Sequence, residues 1–138
     1  MAKIAIVKKS DYSIGSFYEG PADQSKYGGP WGDSSQFSHV EVPAELDHML
    51  CKAQSDGQGG IEIVLDQDKE DAAIDAAWDK LRADRNHKLL LCDYTQLADA
   101  DLTQVQKDAF ATYRQELRDL PENTVDPRNP DWPQEPQQ

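Results

Sequence analysis

Residues 69–121, KEDAAIDAAWDKLRADRNHKLLLCDYTQLADADLTQVQKDAFATYRQELRDLP, decide the fold. Ile74, Trp78, Leu81, Arg85, Leu89 and Cys92 fall on one stripe at the helical period of about 100° per residue. The pattern breaks over residues 94–101. It resumes with Leu102, Val105, Ala109, Phe110, Tyr113, Leu117 and Leu120, again on one face. Asp66, Asp68, Glu70 and Asp71 gather where the positive end of a helix dipole favours carboxylates. Thr103 with Gln106 three residues later fits a capping box, which satisfies amide donors left open at a helix start. Arg114 and Arg118 stand toward the far end, where cations are favoured, and Pro121 is expected to stop the helix. So short a break makes two helices antiparallel neighbours. The expectation is an antiparallel two-helix hairpin over residues 67–121, with Ile74, Trp78, Leu81, Leu89, Leu102, Phe110, Tyr113 and Leu117 as its core.

Upstream, residues 1–66 have a different grammar. Residues 3–9 are rich in Ile and Val and predict a first strand. Gly15, Gly20-Pro21, Gly28-Gly29-Pro30 and Gly32 then break regular structure, with Tyr12, Phe17, Tyr18, Tyr27 and Trp31 among them. That mixture reads as an aromatic and glycine loop over residues 12–32 that packs on something. Residues 39–42 alternate polar and apolar up to Pro43, as a short half-buried strand does. In residues 44–53 the spacing of Leu46, Met49, Leu50 and Ala53 sets a short helix against a loop. SDGQGG at 55–60 is a turn, and IEIVLD at 61–66 is a strand. Downstream, residues 122–138 carry Pro127, Pro130, Pro133 and Pro136 without apolar period, so an extended tail is expected. Trp132 is its odd member, either exposed or an anchor for this chain's own surface or a partner's. The fold class that follows is α+β: a β-rich segment, a helical hairpin and a Pro-rich tail.

Charge and motifs exclude much. The 26 acidic residues against 14 basic ones give a formal net charge of −12, which repels phosphate backbones and anionic membranes. Neither nucleic acid nor a membrane is therefore an expected partner. The apolar run in residues 4–7 is too short for a signal-peptide core, and no run approaches a membrane span, so residence in a cytoplasm is expected. Cys51 and Cys92 form no close-spaced pair and read as reduced, partly buried thiols. GQGG at 57–60 precedes a strand, not the helix N-terminus that a phosphate cradle requires. Asp66, Asp68 and Glu70 alternate like a calcium loop, but Asp71 stands where the loop's glycine belongs. His48 and Cys51 lack a second ligand pair for zinc. His39 and His87 have no companions in a recognisable catalytic signature, and carboxylate pairs are too plentiful in so acidic a chain to single one out. No catalytic residue, cofactor or metal is expected.

The run from Trp78 to Thr103, WDKLRADRNHKLLLCDYTQLADADLT, is followed by Gln106-Lys107, Phe110, Tyr113-Arg114, Leu117-Arg118 and Asp119-Leu120-Pro121. It resembles the tail assembly chaperone domain of tailed phages, whose members carry the pattern W..LR..R...L...DWTQLPDAPLT....Q..W..YRQ.LRDLP. Tyr94 stands where that family often has Trp, Ala98 where it often has Pro, and Phe110 where Trp is usual. The resemblance implies a protein that helps to build a phage tail or its fibres. The reading that follows is non-enzymatic: it binds a phage tail or tail fibre protein in the host cytoplasm during assembly. The alternative is a structural component, a tail or tail fibre adaptor, retained in the virion. A hydrolase of glycans or small substrates would need a clustered acid/base pair that the sequence does not display.

Two sets of side chains are candidates for the work. Tyr18, Tyr27, Trp31 and Trp132 are expected as exposed partner contacts. Arg82, Arg85, Arg114 and Arg118 are expected to pair with Asp93, Asp99 and Asp119 as a clasp around the inter-helix turn, fixing geometry more than adding stability. Two helices alone bury too little apolar surface to be stable. The hairpin is therefore expected to lean on residues 1–66, a second copy of the chain or another protein.

Overall fold

A computed structural model of the chain describes residues 1–22 and 29–137, which form two compact units, Met1–Asp71 and Ala72–Gln138. Antiparallel strands precede two helices, so the fold is α+β. In the first unit, strand β1 (Lys3–Lys8) is central to a three-stranded antiparallel sheet, between β2 (Ile14–Glu19) and β3 (Phe37–Glu41). A second antiparallel pair joins β4 (Cys51–Ser55) to β5 (Ile61–Leu65). The unbroken apolar run of β1 suits a strand covered on both faces. Ala5 and Val7 enter a core with Val42, Cys51, Ala53 and Ile63. Ile4 and Ile6 are equally buried on the other face, beside their cross-strand neighbours Tyr18 and His39.

Three sequence expectations change in this unit. The aromatic and glycine segment is not loop throughout, because Ile14–Glu19 is strand β2. Its register against β1 passes from Ile6↔Ser16 to Val7↔Ile14, which leaves Gly15 as the extra residue of a β-bulge. A Cβ at Gly15 would overlap the Trp31 ring, so this glycine makes room for an indole rather than breaking the strand. Residues 44–53 are neither a full helix nor a loop. A 3-10 turn at His48–Leu50, begun by Asp47 accepting from the Met49 amide, runs straight into β4. Cys51 and Ala53 are then buried with a period of two, and the helical spacing of Leu46, Met49 and Leu50 does not reveal this.

In the second unit, α1 (Gln67–Leu91, whose first turn belongs to the first unit) ends at a 3-10 turn, Asp93–Gln96. α2 (Gln104–Asn123) follows, opened by the Thr103/Gln106 capping box. Cys92, Phe110, Tyr113 and Leu117 form its buried cluster, with Leu89, Leu102 and Trp132 packed against them. Val105 does not share that face and is 78% exposed, since it stands in the first turn of α2, above the cluster. Pro121 does not stop α2, which runs on to Asn123. A proline lacks an amide donor, which leaves one carbonyl, four residues back, without its helical partner, and only two residues of helix remain to be carried past it. The Thr124 hydroxyl donates to the Leu120 carbonyl at 2.7 Å and satisfies one of the terminal acceptors.

Candidate protein-binding site

The segment joining the two helices is short, yet its backbone is held at several points. Thr95, fully buried, donates from its hydroxyl to the Cys92 carbonyl at 2.7 Å, and its amide donates to the same oxygen at 3.2 Å. From α2, the Lys107 ammonium donates to the Leu97 and Ala98 carbonyls at 3.1 and 3.2 Å. The Gln96 amide donates back to the Lys107 carbonyl at 3.3 Å. Arg114 completes the set. Its guanidinium donates to the Leu89 carbonyl at 2.8 Å and to Asp93 at 2.7 Å, and lies 3.2 Å from the Cys92 sulfur. The Leu89 carbonyl lies in the last turn of α1, where acceptors lack intrahelical donors and a cation meets the negative end of the dipole. Burial works against the Arg114 charge, but the hydrogen bonds that its guanidinium donates to Cys92 and Asp93 outweigh it and hold the group above its ordinary value.

Among the described residues, Arg114 with Asp93 is the one pair of the expected clasp that forms. Arg82 instead pairs with Asp79 at 3.6 Å and lies over the Trp78 ring at 5.5 Å. Arg85 donates to its neighbour Asn86, and Asp119 accepts from Gln115. Asp99 and Arg118 are exposed and make no ion pair among the described residues. The reason is position. Only Arg114 lies on the inward side of α2 beside Tyr113, opposite the open end of α1. Arg82 and Arg85 lie further back on α1 and find partners along that helix.

The expected hairpin core divides similarly. Phe110, Tyr113 and Leu117 are buried together, and Leu89 and Leu102 flank them half-buried. Burial pushes the Tyr113 phenol above its ordinary value. Leu81 is also buried, beside Pro127, Pro130 and Trp132 of the tail. Ile74 and Trp78 are only half-buried and stand outside the cluster.

Of the expected contact aromatics, Tyr27 lies outside the described residues. Tyr18 donates to the Pro21 carbonyl at 3.1 Å and stacks edge-on to His39, whose Nδ1 is 3.0 Å from its hydroxyl. Trp31 packs over Gly15 and lies 5.2 Å from the Phe37 ring. Trp132 is half-buried on the helical cluster, with the Lys88 ammonium 5.6 Å from its ring centroid. Each of these three rings is half-buried and finds an apolar or polar partner within its own unit. What sequence reading missed is a set of exposed leucines: Leu90 and Leu91, next to the inward Leu89, and Leu97 just beyond the turn.

Among the described residues, no group of three or more His, Cys, Asp and Glu side chains could hold a metal ion. No helix among them is long and apolar enough to cross a membrane. The Cys51 thiol donates to the Asp47 carbonyl, and burial pushes it above its ordinary value.

Comparison with known proteins places this segment. Residues 78–137 match the family model described as phage tail assembly chaperone protein, the family that the Trp78–Pro121 motif resembles. The matched stretch takes in most of α1, the pinned connection, α2 and the tail with Trp132. No curated protein and no solved structure matches the chain. The match supports a role in phage tail assembly.

Proposed function

From the match of residues 78–137 we propose that the protein acts in tail or tail fibre assembly by binding a tail protein transiently, without catalysis. The match covers nearly all of the second unit, including the tail, so the whole helical pair with its packed Trp132 is the recognition module. With a net charge of −12, its partner is a protein rather than nucleic acid. The host cytoplasm during assembly is the place where such binding operates.

Pairwise co-purification with each tail and tail fibre protein of the encoding phage tests the binding, and a stable pair with at least one of them is expected. Mass spectrometry of purified virions separates transient from retained. Substoichiometric or absent peptides are expected; stoichiometric copies would make the protein a structural tail or fibre component instead.

A further inference from the structure

We propose that the outward face of the α1 end and its following turn, formed by Leu90, Leu91, Tyr94 and Leu97, docks an apolar, Lys- or Arg-bearing segment of a tail protein. This rests on the protein-binding reading above and names its surface and the chemistry of its partner. Leu90 is 67% exposed, Leu91 61%, Leu97 56% and Tyr94 43%. Leu90 and Leu91 close α1, Tyr94 stands in the 3-10 turn that follows and Leu97 comes directly after it, so the four exposed side chains are close neighbours along the chain. The opposite side of the same turn carries Leu89, Cys92 and Thr95 inward. Adjacent apolar side chains this open make a patch on the order of a few hundred Å², the scale at which a patch on a monomer is functional.

The ridge is also preorganised. Arg114, Lys107, Gln96 and Thr95 hold the backbone that displays it, so little conformational entropy remains to be lost on docking.

Charge selects the occupant. Between Cys92 and Gln106 the only charged residues are Asp93, Asp99 and Asp101, all exposed, and Asp108 is exposed just beyond. Arg114 neutralises Asp93, and Lys107 is held by backbone carbonyls, which leaves a rim of carboxylates beside the ridge. A second copy docking here about a two-fold axis would set that rim against itself, on a chain already at −12. A partner with Leu- or Phe-like side chains flanked by Lys or Arg fills the ridge and neutralises the rim. The small area suits a contact that is later released.

The test uses the full chain as wild type, Leu90→Asp/Leu97→Asp, Asp99→Lys/Asp101→Lys and a Val125→Asp control, each folded by circular dichroism. Val125 is 98% exposed and stands away from the ridge in sequence. Each is titrated with the purified tail and tail fibre proteins of the encoding phage. The leucine variant is expected to weaken the wild-type pair by at least about tenfold, the scale of an interface hot spot. The aspartate variant is expected to weaken it and flatten its salt dependence, while Val125→Asp binds as wild type. Should the leucine variant fail to fold, the aspartate variant alone decides. Equal binding by the variants and wild type would overturn the surface and leave the protein-binding reading standing. A wild type that binds none of these proteins would overturn both. Self-association of the wild type that Leu90→Asp/Leu97→Asp abolishes would show the ridge to be an interface between copies, and so overturn the choice of occupant.

Discussion

Gly15 and Trp31 show how one residue's absence of side chain can be the informative feature. The bulge in β2 and the indole above it need each other, since a Cβ there would overlap the ring. Gly15→Ala is expected to destabilise the first unit by about 1–3 kcal/mol, the usual cost of overpacking. In a Trp31→Ala background the same change should cost markedly less, and a double-mutant cycle by urea denaturation measures the coupling. Arg114 is the corresponding residue of the second unit. Arg114→Met is expected to lose about 1–3 kcal/mol, since it leaves the Leu89 carbonyl without its donor and Asp93 without its cation. Asp126 offers a pH signature. Hydrogen bonds from the Arg128 side chain, then its amide, hold this carboxyl below the ordinary aspartate value of 3.8. A depressed folded value means that its support of the turn is complete above the unfolded value and is lost as pH falls through the folded one. An NMR titration should find its midpoint below 3.8 in the wild type and shifted upward in Arg128→Gln.

At the scale of elements, the clearest local signal is the start of α2. The Thr103 hydroxyl accepts from the Gln106 amide while the Gln106 side chain accepts from the Thr103 amide. Thr103→Ala is expected to cost about 1 kcal/mol, read as a lower denaturation midpoint, because a donor at the helix start loses its acceptor. Both helices and the turn between them were legible in advance, as were β1, β3 and β5. β2 and β4 were not. Gly15 disguised the first, and in the second the spacing of Leu46, Met49, Leu50 and Ala53 imitated a helix. Of the candidate site, the buried faces of Leu89, Phe110, Tyr113 and Leu117 could be read from their period. The exposure of Leu90, Leu91 and Leu97 could not, because the period marks which side chains face the partner helix and not which of the others the rest of the fold leaves uncovered.

At the scale of the molecule, the chain is two compact units, and the second is completed by its own tail. Two helices bury too little by themselves; Trp132 and the buried Pro127 add apolar area from a segment whose composition suggests only an extended chain. Trp132→Ala in the full chain is expected to destabilise the second unit by about 2–4 kcal/mol, somewhat below or within the range for losing a fully enclosed aromatic. Hydrogen exchange should show faster opening of α2 amides around Phe110 and Leu117, with the β-strand amides of the first unit much less affected. Helix period, capping and the acidic balance are properties of neighbouring residues, and the sequence by itself determined them, along with the family resemblance they support. Which ring covers which surface, which arginine closes the turn and which leucines stay open depend on groups far apart in the chain. Those were decided only by the tertiary structure, because burial is a property of the folded surface and not of any local stretch.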